Sequence, residues 1–189
     1  MQSWLDIAGS FVIGAFILLI IINVNLYTSS SAAENLYTNI SQENLVASAS
    51  VIEHDLYKAG FRVSGEKIAL ADSTELKFYC DIDNNGTKDS IHYSLGDLSQ
   101  MTSTFNPNDR ILYRSWNNES PKPSSVVVDF KLVYHDSLGA VINYSSLNNA
   151  SFRNKIKTIS ASLSIQSAEP IDGFYQGAEW QKNIIPKNL

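Results

Sequence analysis

Residues 7–22 read IAGSFVIGAFILLIII and residues 45–59 read LVASASVIEHDLYKA, and how these two stretches are joined decides the fold. The first holds sixteen residues with no charge and one polar side chain, Ser10. Val24, Leu26 and Tyr27 extend it to about twenty, enough at 1.5 Å per residue to cover a hydrocarbon core of roughly 30 Å. In the second, Leu45, Ala49, Ile52, Leu56 and Ala59 step by four, three, four and three, which is one face of a helix. Leu26, Ala33, Leu36 and Ile40 set a similar stripe upstream. After the apolar run neither Pro nor Gly occurs until Gly60, a natural helix C-cap. The pattern therefore predicts one helix over residues 6–59, about 80 Å long and weakest at 28–31. Its greasy half, residues 1–28, reads as a membrane segment. Residues 29–60 are amphipathic and must pack on something, for which residues 61–189 are the candidate.

A retained helix is expected rather than a cleaved secretory signal, because Met1 to Asp6 contain no Lys or Arg and the apolar run exceeds a usual signal core. The first basic residue is Lys58, so charge near the helix sets no orientation. Placement of the C-terminal side outside the cytoplasm follows instead from composition. The 189 residues carry 14 Lys+Arg against 19 Asp+Glu, and charged residues make up 17%. An average soluble domain has about 25%. Ser (26) and Asn (17) supply the polar surface instead. An acidic balance without a basic cluster argues against a nucleic-acid partner. The single Cys80 excludes an internal disulfide framework and a Cys-rich zinc site.

From Lys67 onward the period changes to strand-length runs separated by turn residues. TELKFYC (74–80) and SIHYSL (90–95) flank DIDNNGTKD and read as a hairpin bent at Asn85-Gly86. RILYRSW (110–116) is a further strand, followed by NNESPKPSS (117–125) as a loop. VVVDFKLVYHD (126–136) and AVINY (140–144) read as a second hairpin. KIKTISASLSIQS (155–167) alternates as a half-buried strand should, and the tail 173–189 has no period. An amphipathic helix on an antiparallel sheet gives an α+β fold, a long N-terminal helix packed on a small β-sheet domain.

Asp81-x-Asp83-x-Asn85-Gly86, with Thr87 and Asp89 at the seventh and ninth positions, matches most of a calcium loop. His92 stands twelfth, where a bidentate Glu belongs. The same Asx-rich string also makes a good turn with no metal, so both readings stand. No other cofactor is expected, and no enzyme: the three His are scattered, G-x-S-x-G is absent, and Cys80 between strand aromatics reads as an inert buried thiol. His54 and Asp55 read as solvated surface at the helix end. A binding face of Tyr113, Trp116, Tyr134 and Trp180 is weaker than the reading of these aromatics as core. Asp6 has two readings, a dipole-complementing residue at the start of the helix or an acid inside the membrane that needs a cationic partner.

The layout, with HDLYKAGF (54–61), YCDIDNNGTKDSIHYSL (79–95), ILYRSWN (111–117) and WQKNIIPKNL (180–189), resembles type IV pilin-like proteins, above all minor pseudopilins and minor pilins. The resemblance implies a non-enzymatic filament subunit, held in the bacterial inner membrane and then added to a helical core. Its partners would be copies of itself or related pilin-like subunits, and its assembled form an extracellular filament. The family is made with a basic leader cut before a Phe-Thr-Leu-x-x-Glu-like start. This chain departs from that pattern, reading MQSWLDIAG. Loss of Met1 would make Asp6 the fifth residue, where the family carries its Glu. The assembly residues so implied are Met1, Asp6, Gly9, Ser10 and Gly14, with Ala15 a further small residue for close helix approach. The alternative is a membrane-tethered extracytoplasmic binding module that does not polymerise.

Overall fold

The computed structural model describes residues 2–117 and 119–189. Helix α1 runs without interruption over Gln2–Tyr57, 56 residues or about 84 Å. The expected weak point at 28–31 is helical like the rest. After Tyr57 the chain turns, and Gly60 ends the helix in a left-handed conformation (φ +77°). The glycine is required there on two counts, because a Cβ would lie 2.8 Å from the Asn188 carbonyl oxygen.

The rest is antiparallel. Strands β1 (Ile68–Ala71), β2 (Glu75–Cys80), β3 (Asp89–Leu95), β4 (Arg110–Trp116) and β5 (Lys122–Val127) form one sheet in sequential order. Strands β6 (Asp129–His135), β7 (Thr158–Gln166) and β8 (Gly177–Ile184) form a second sheet in the order 6-7-8. A single-turn helix α2 (Ala150–Arg153) precedes β7. The distal half of α1 packs on β7 and β8 and touches β5. Leu45, Ala49, Ile52, Leu56 and Ala59 are all buried there, so the stripe faces the domain as its spacing predicts. The core continues through Phe78, Ile91, Leu112, Phe130, Leu132 and Ile159.

Four expectations need correction. The run 126–136 is two strands in different sheets, not one. Val127 and Phe130 are both fully buried, and residues three apart on one pleated strand face opposite sides. The chain breaks at Val128, whose N–H turns to the Ser164 carbonyl at 2.9 Å, and Phe130, Leu132 and Tyr134 resume the period of two. AVINY makes one bridge, His135 to Val141, rather than a strand. Asp136 Oδ1 takes the amides of Leu138 and Ala140, and Asn143 then caps a short 3-10 turn, Tyr144–Asn148. Half of the expected loop 117–125 is strand β5, where Pro123 sits opposite Tyr113 on a sheet edge that tolerates its missing N–H. The upstream stripe makes no buried contact with the domain: Leu26, Leu36 and Ile40 are exposed and Ala33 is half-buried. Ser30, Tyr37 and Ser41 make that contact instead, bonded to Asp172, Glu169 and the Gln176 carbonyl.

Candidate functional site

The proximal half of α1 stands clear of the domain. From Ser3 to Ser29 every residue is exposed except Gly14, which is intermediate, and Phe11, Ile13, Phe16 and Leu18 are among its bare apolar side chains. The first bond to the domain is that of Ser30. This half is long and apolar enough to cross a membrane, and none of its most apolar window is buried. Asp6, Ser10 and Gly14 follow at intervals of four and share one face, with Gly9 at its border. The Ser10 hydroxyl donates to the Asp6 carbonyl at 2.8 Å, and the Asp6 carboxylate has no bonded partner among the described residues. A Cβ added at Gly9 or Gly14 would meet nothing within 4 Å, so within one chain neither glycine is required by packing. Asp6 lies beyond the first helical turn, which removes its reading as a terminal cap. Met1, the remaining assembly residue, lies outside the described residues.

The distal half is fastened by polar contacts that the sequence reading missed. Asp55, expected on the surface, is 2% exposed. Its Oδ2 accepts from the Tyr93 hydroxyl at 2.7 Å and from Arg114 Nε at 2.7 Å. Tyr93 and Arg114 are direct partners across β3 and β4, so two side chains on one sheet face converge on one helix carboxylate. Burial opposes the Arg114 charge, yet the Asp55 hydrogen bond and charge outweigh it and hold the guanidinium above its ordinary value. Burial, followed by the Asp55 charge and hydrogen bond, pushes the Tyr93 phenol well up. His54 is exposed as expected and approaches Asp55 Oδ1 at 3.3 Å. Glu53 pairs with Lys182 of β8.

The Asp81–Asp89 string forms the β2–β3 turn, with Asn84 and Gly86 both left-handed. One carboxylate oxygen each from Asp81, Asp83 and Asp89 lie within 4.8 Å of one another, and no other such cluster of His, Cys, Asp and Glu occurs among the described residues. Asp81 Oδ2 accepts from the Gly86 amide at 3.1 Å and from Arg62 at 3.3 Å. Asp89 accepts from Asn117 at 2.9 Å and the Ile82 amide at 3.1 Å. Burial raises the Asp89 carboxyl, but Asn117 and Ile82 together with the nearby Trp116 indole lower it further, and the net position is below the usual carboxylate range. That indole N–H stays outside hydrogen-bonding geometry and is buried without a partner among the described residues. Within the turn Asn85 Oδ1 accepts from the Thr87 amide and hydroxyl, and Asp83 accepts from the Asn85 amide at 3.1 Å and its side-chain amide at 2.8 Å. His92, in twelfth place, is engaged by Glu75 at 2.7 Å across the hairpin.

Cys80 is fully buried, and burial, then Asp55 and Asp89, push its thiol up to about 12. Tyr134 is core, whereas Tyr113, Trp116 and Trp180 are partly exposed. A groove of about 490 Å³ between α1 and the sheets is lined by Tyr37, Ser41, Ser48, Thr104, Asp109 and Ser125 among others. Burial pushes the Asp109 carboxyl up there against the effect of Thr104. Comparisons with known protein families, curated proteins and solved structures find no match to this chain.

Proposed function

We propose that this protein is a non-enzymatic structural subunit of a type IV pilus-like or pseudopilus-like filament, assembled through the proximal half of α1. One observation carries the reading. A single unbroken helix is bare and apolar for its first half and built into a folded domain for its second. A helix used only as a tether needs no rigid continuation into a domain core. A subunit that must transmit position from a packed helical core to an outer domain does.

The bare half first dissolves in the bilayer and then exchanges lipid for neighbouring helices. No hydrophobic gain drives that exchange, so it depends on close packing and polar pairing, which small residues and a carboxylate provide. Gly9 and Gly14 are open for a neighbouring backbone, and the Asp6 carboxylate shares the Ser10 and Gly14 face. A carboxylate drawn into the membrane is costly when unpaired, and an amino terminus from the adjacent copy would offset that cost. The domain then lies outside the cytoplasm, and the partners are this chain or related pilin-like subunits.

The test is negative-stain microscopy of membranes containing the full-length chain, alone and with related pilin-like subunits. Wild type should give filaments or short stacks. Asp6→Ala should give none while the domain's unfolding free energy changes by less than about 0.5 kcal/mol, as for an exposed position. Filaments undiminished by Asp6→Ala would remove the pairing mechanism. Singly dispersed wild type under every combination would overturn the assembly reading and favour the tethered binding module.

A further inference from the structure

We infer that the β2–β3 turn is a calcium site, built from Asp81, Asp83 and Asp89, which braces the joint between helix and sheet. The inference is independent of whether the chain polymerises. Three carboxylates that each place an oxygen within 4.8 Å of the others repel one another. Among the described residues one cation is bonded to the cluster, Arg62, which meets Asp81 alone at 3.3 Å and has a side chain more than half exposed. Lys58 donates to the Ile82 carbonyl at 2.7 Å, and Lys88 lies over the Tyr79 ring, so neither neutralises the cluster directly.

A second observation points to a ligand. Asp81 is 1% exposed and, while its Oδ2 accepts from Gly86 and Arg62, its Oδ1 has no hydrogen-bond partner among the described residues. A buried charged acceptor left bare is among the more expensive defects a fold can carry. The carboxylate bearing it is a member of the acidic triad, and a cation held by both Asp81 oxygens would satisfy it. Calcium takes oxygen ligands at 2.3–2.6 Å, so oxygens on one ion lie no more than about 5.2 Å apart, a limit the three carboxylates meet. Asp83 is exposed at the turn tip, which leaves room for water to complete the coordination.

The site would be weak. With His92 where a bidentate Glu belongs, three carboxylates and water predict a Kd of about 10⁻⁴–10⁻³ M, the range of extracellular calcium modules. Its mechanical effect follows from the bonds around it. The Asp81 amide donates to the Phe61 carbonyl at 2.9 Å, and the Gly60 amide donates to the Tyr79 carbonyl at 2.8 Å. An ion on Asp81 therefore restrains the segment that ends α1 as well as the turn.

The experiment is calorimetric titration of the full-length chain in detergent with Ca²⁺ after chelator treatment, alongside thermal melting. One site in the stated range and a raised melting midpoint are expected. Asp83→Ala removes an exposed ligand without disturbing the core, so it should weaken binding about tenfold or more while the calcium-free protein still unfolds in one cooperative transition. Arg62→Gln removes the competing cation and should tighten binding. No response up to about 10 mM Ca²⁺, an equal response to Mg²⁺, or undiminished binding in Asp83→Ala would each overturn the site.

Discussion

Asp55→Ala should lower the unfolding free energy of the domain by about 3–5 kcal/mol, the scale of breaking a buried ion pair from one side. The loss has two parts. Arg114 would keep its charge among neighbours that no longer answer it, and its side chain is only 27% exposed. Tyr93, fully buried, would keep a hydroxyl with no acceptor, which alone costs about 1–3 kcal/mol. Asp55→Asn retains an acceptor and should cost less. Chemical denaturation of the full chain in detergent measures both. A loss below about 1 kcal/mol for the alanine variant would mean that water replaces Asp55 and that the contact is incidental.

The same network sets the alkaline limit of stability. Tyr93 is raised well above its ordinary value by burial first and Asp55 second, and Tyr134 is raised in the same direction chiefly by burial. For groups raised in the folded state, the stabilisation is complete below their unfolded values and is lost as pH climbs toward the folded ones. For the two tyrosines the decline begins near pH 10, and for Cys80, pushed up to about 12, near pH 8.5. Melting midpoints should therefore hold on the neutral side and fall steadily above about pH 9. A flat profile to pH 11 would contradict the burial of these groups.

Neither the Asp55 network nor its partners were legible from spacing, and the reason is physical. Asp55 sits beside Leu56 and next to an exposed His, where a carboxylate at a helix end is ordinarily solvated. Only the pairing of β3 with β4 brings Tyr93 and Arg114 to the same point, and that register is a long-range fact. Where the hydrophobic pattern had one face to fill, it was readable: the 45–59 stripe, β2, β3, β4 and β7 lie where their periods put them. The pattern failed at sheet edges. Strand β5 carries Pro123 and two Ser on a mostly exposed edge, and β8 alternates polar residues with weakly buried ones, so neither shows a period of two in hydrophobicity. The 126–136 run failed for the opposite reason. It is apolar enough to be one strand, and only the burial of both Val127 and Phe130 exposes the break. In the acidic turn, composition identified the three carboxylates but not the orphaned oxygen that distinguishes a site from a turn.

A proline at residue 32 tests the continuity on which the fold and the proposed assembly both rest. Ala32 is exposed and helical, one turn beyond the apolar segment and just past the first contact with the domain. Pro there removes the amide that bonds the Thr28 carbonyl and drives its ring into that carbonyl, at a local cost of about 3 kcal/mol or more. The packed stripe from Leu45 to Ala59 lies more than two turns further on and should be untouched. Ala32→Pro is therefore expected to keep the domain's melting midpoint within a few degrees while helix content falls and a protease site opens near residues 28–32. Ala32→Gly, which costs about 1 kcal/mol without a clash, should leave the rod closed to protease. A filament whose outer domain is placed by a stiff spine should then tolerate Ala32→Gly and fail with Ala32→Pro. A tethered domain that only needs to stay near the membrane should function equally with either, because a flexible joint between anchor and domain changes its reach but not its attachment.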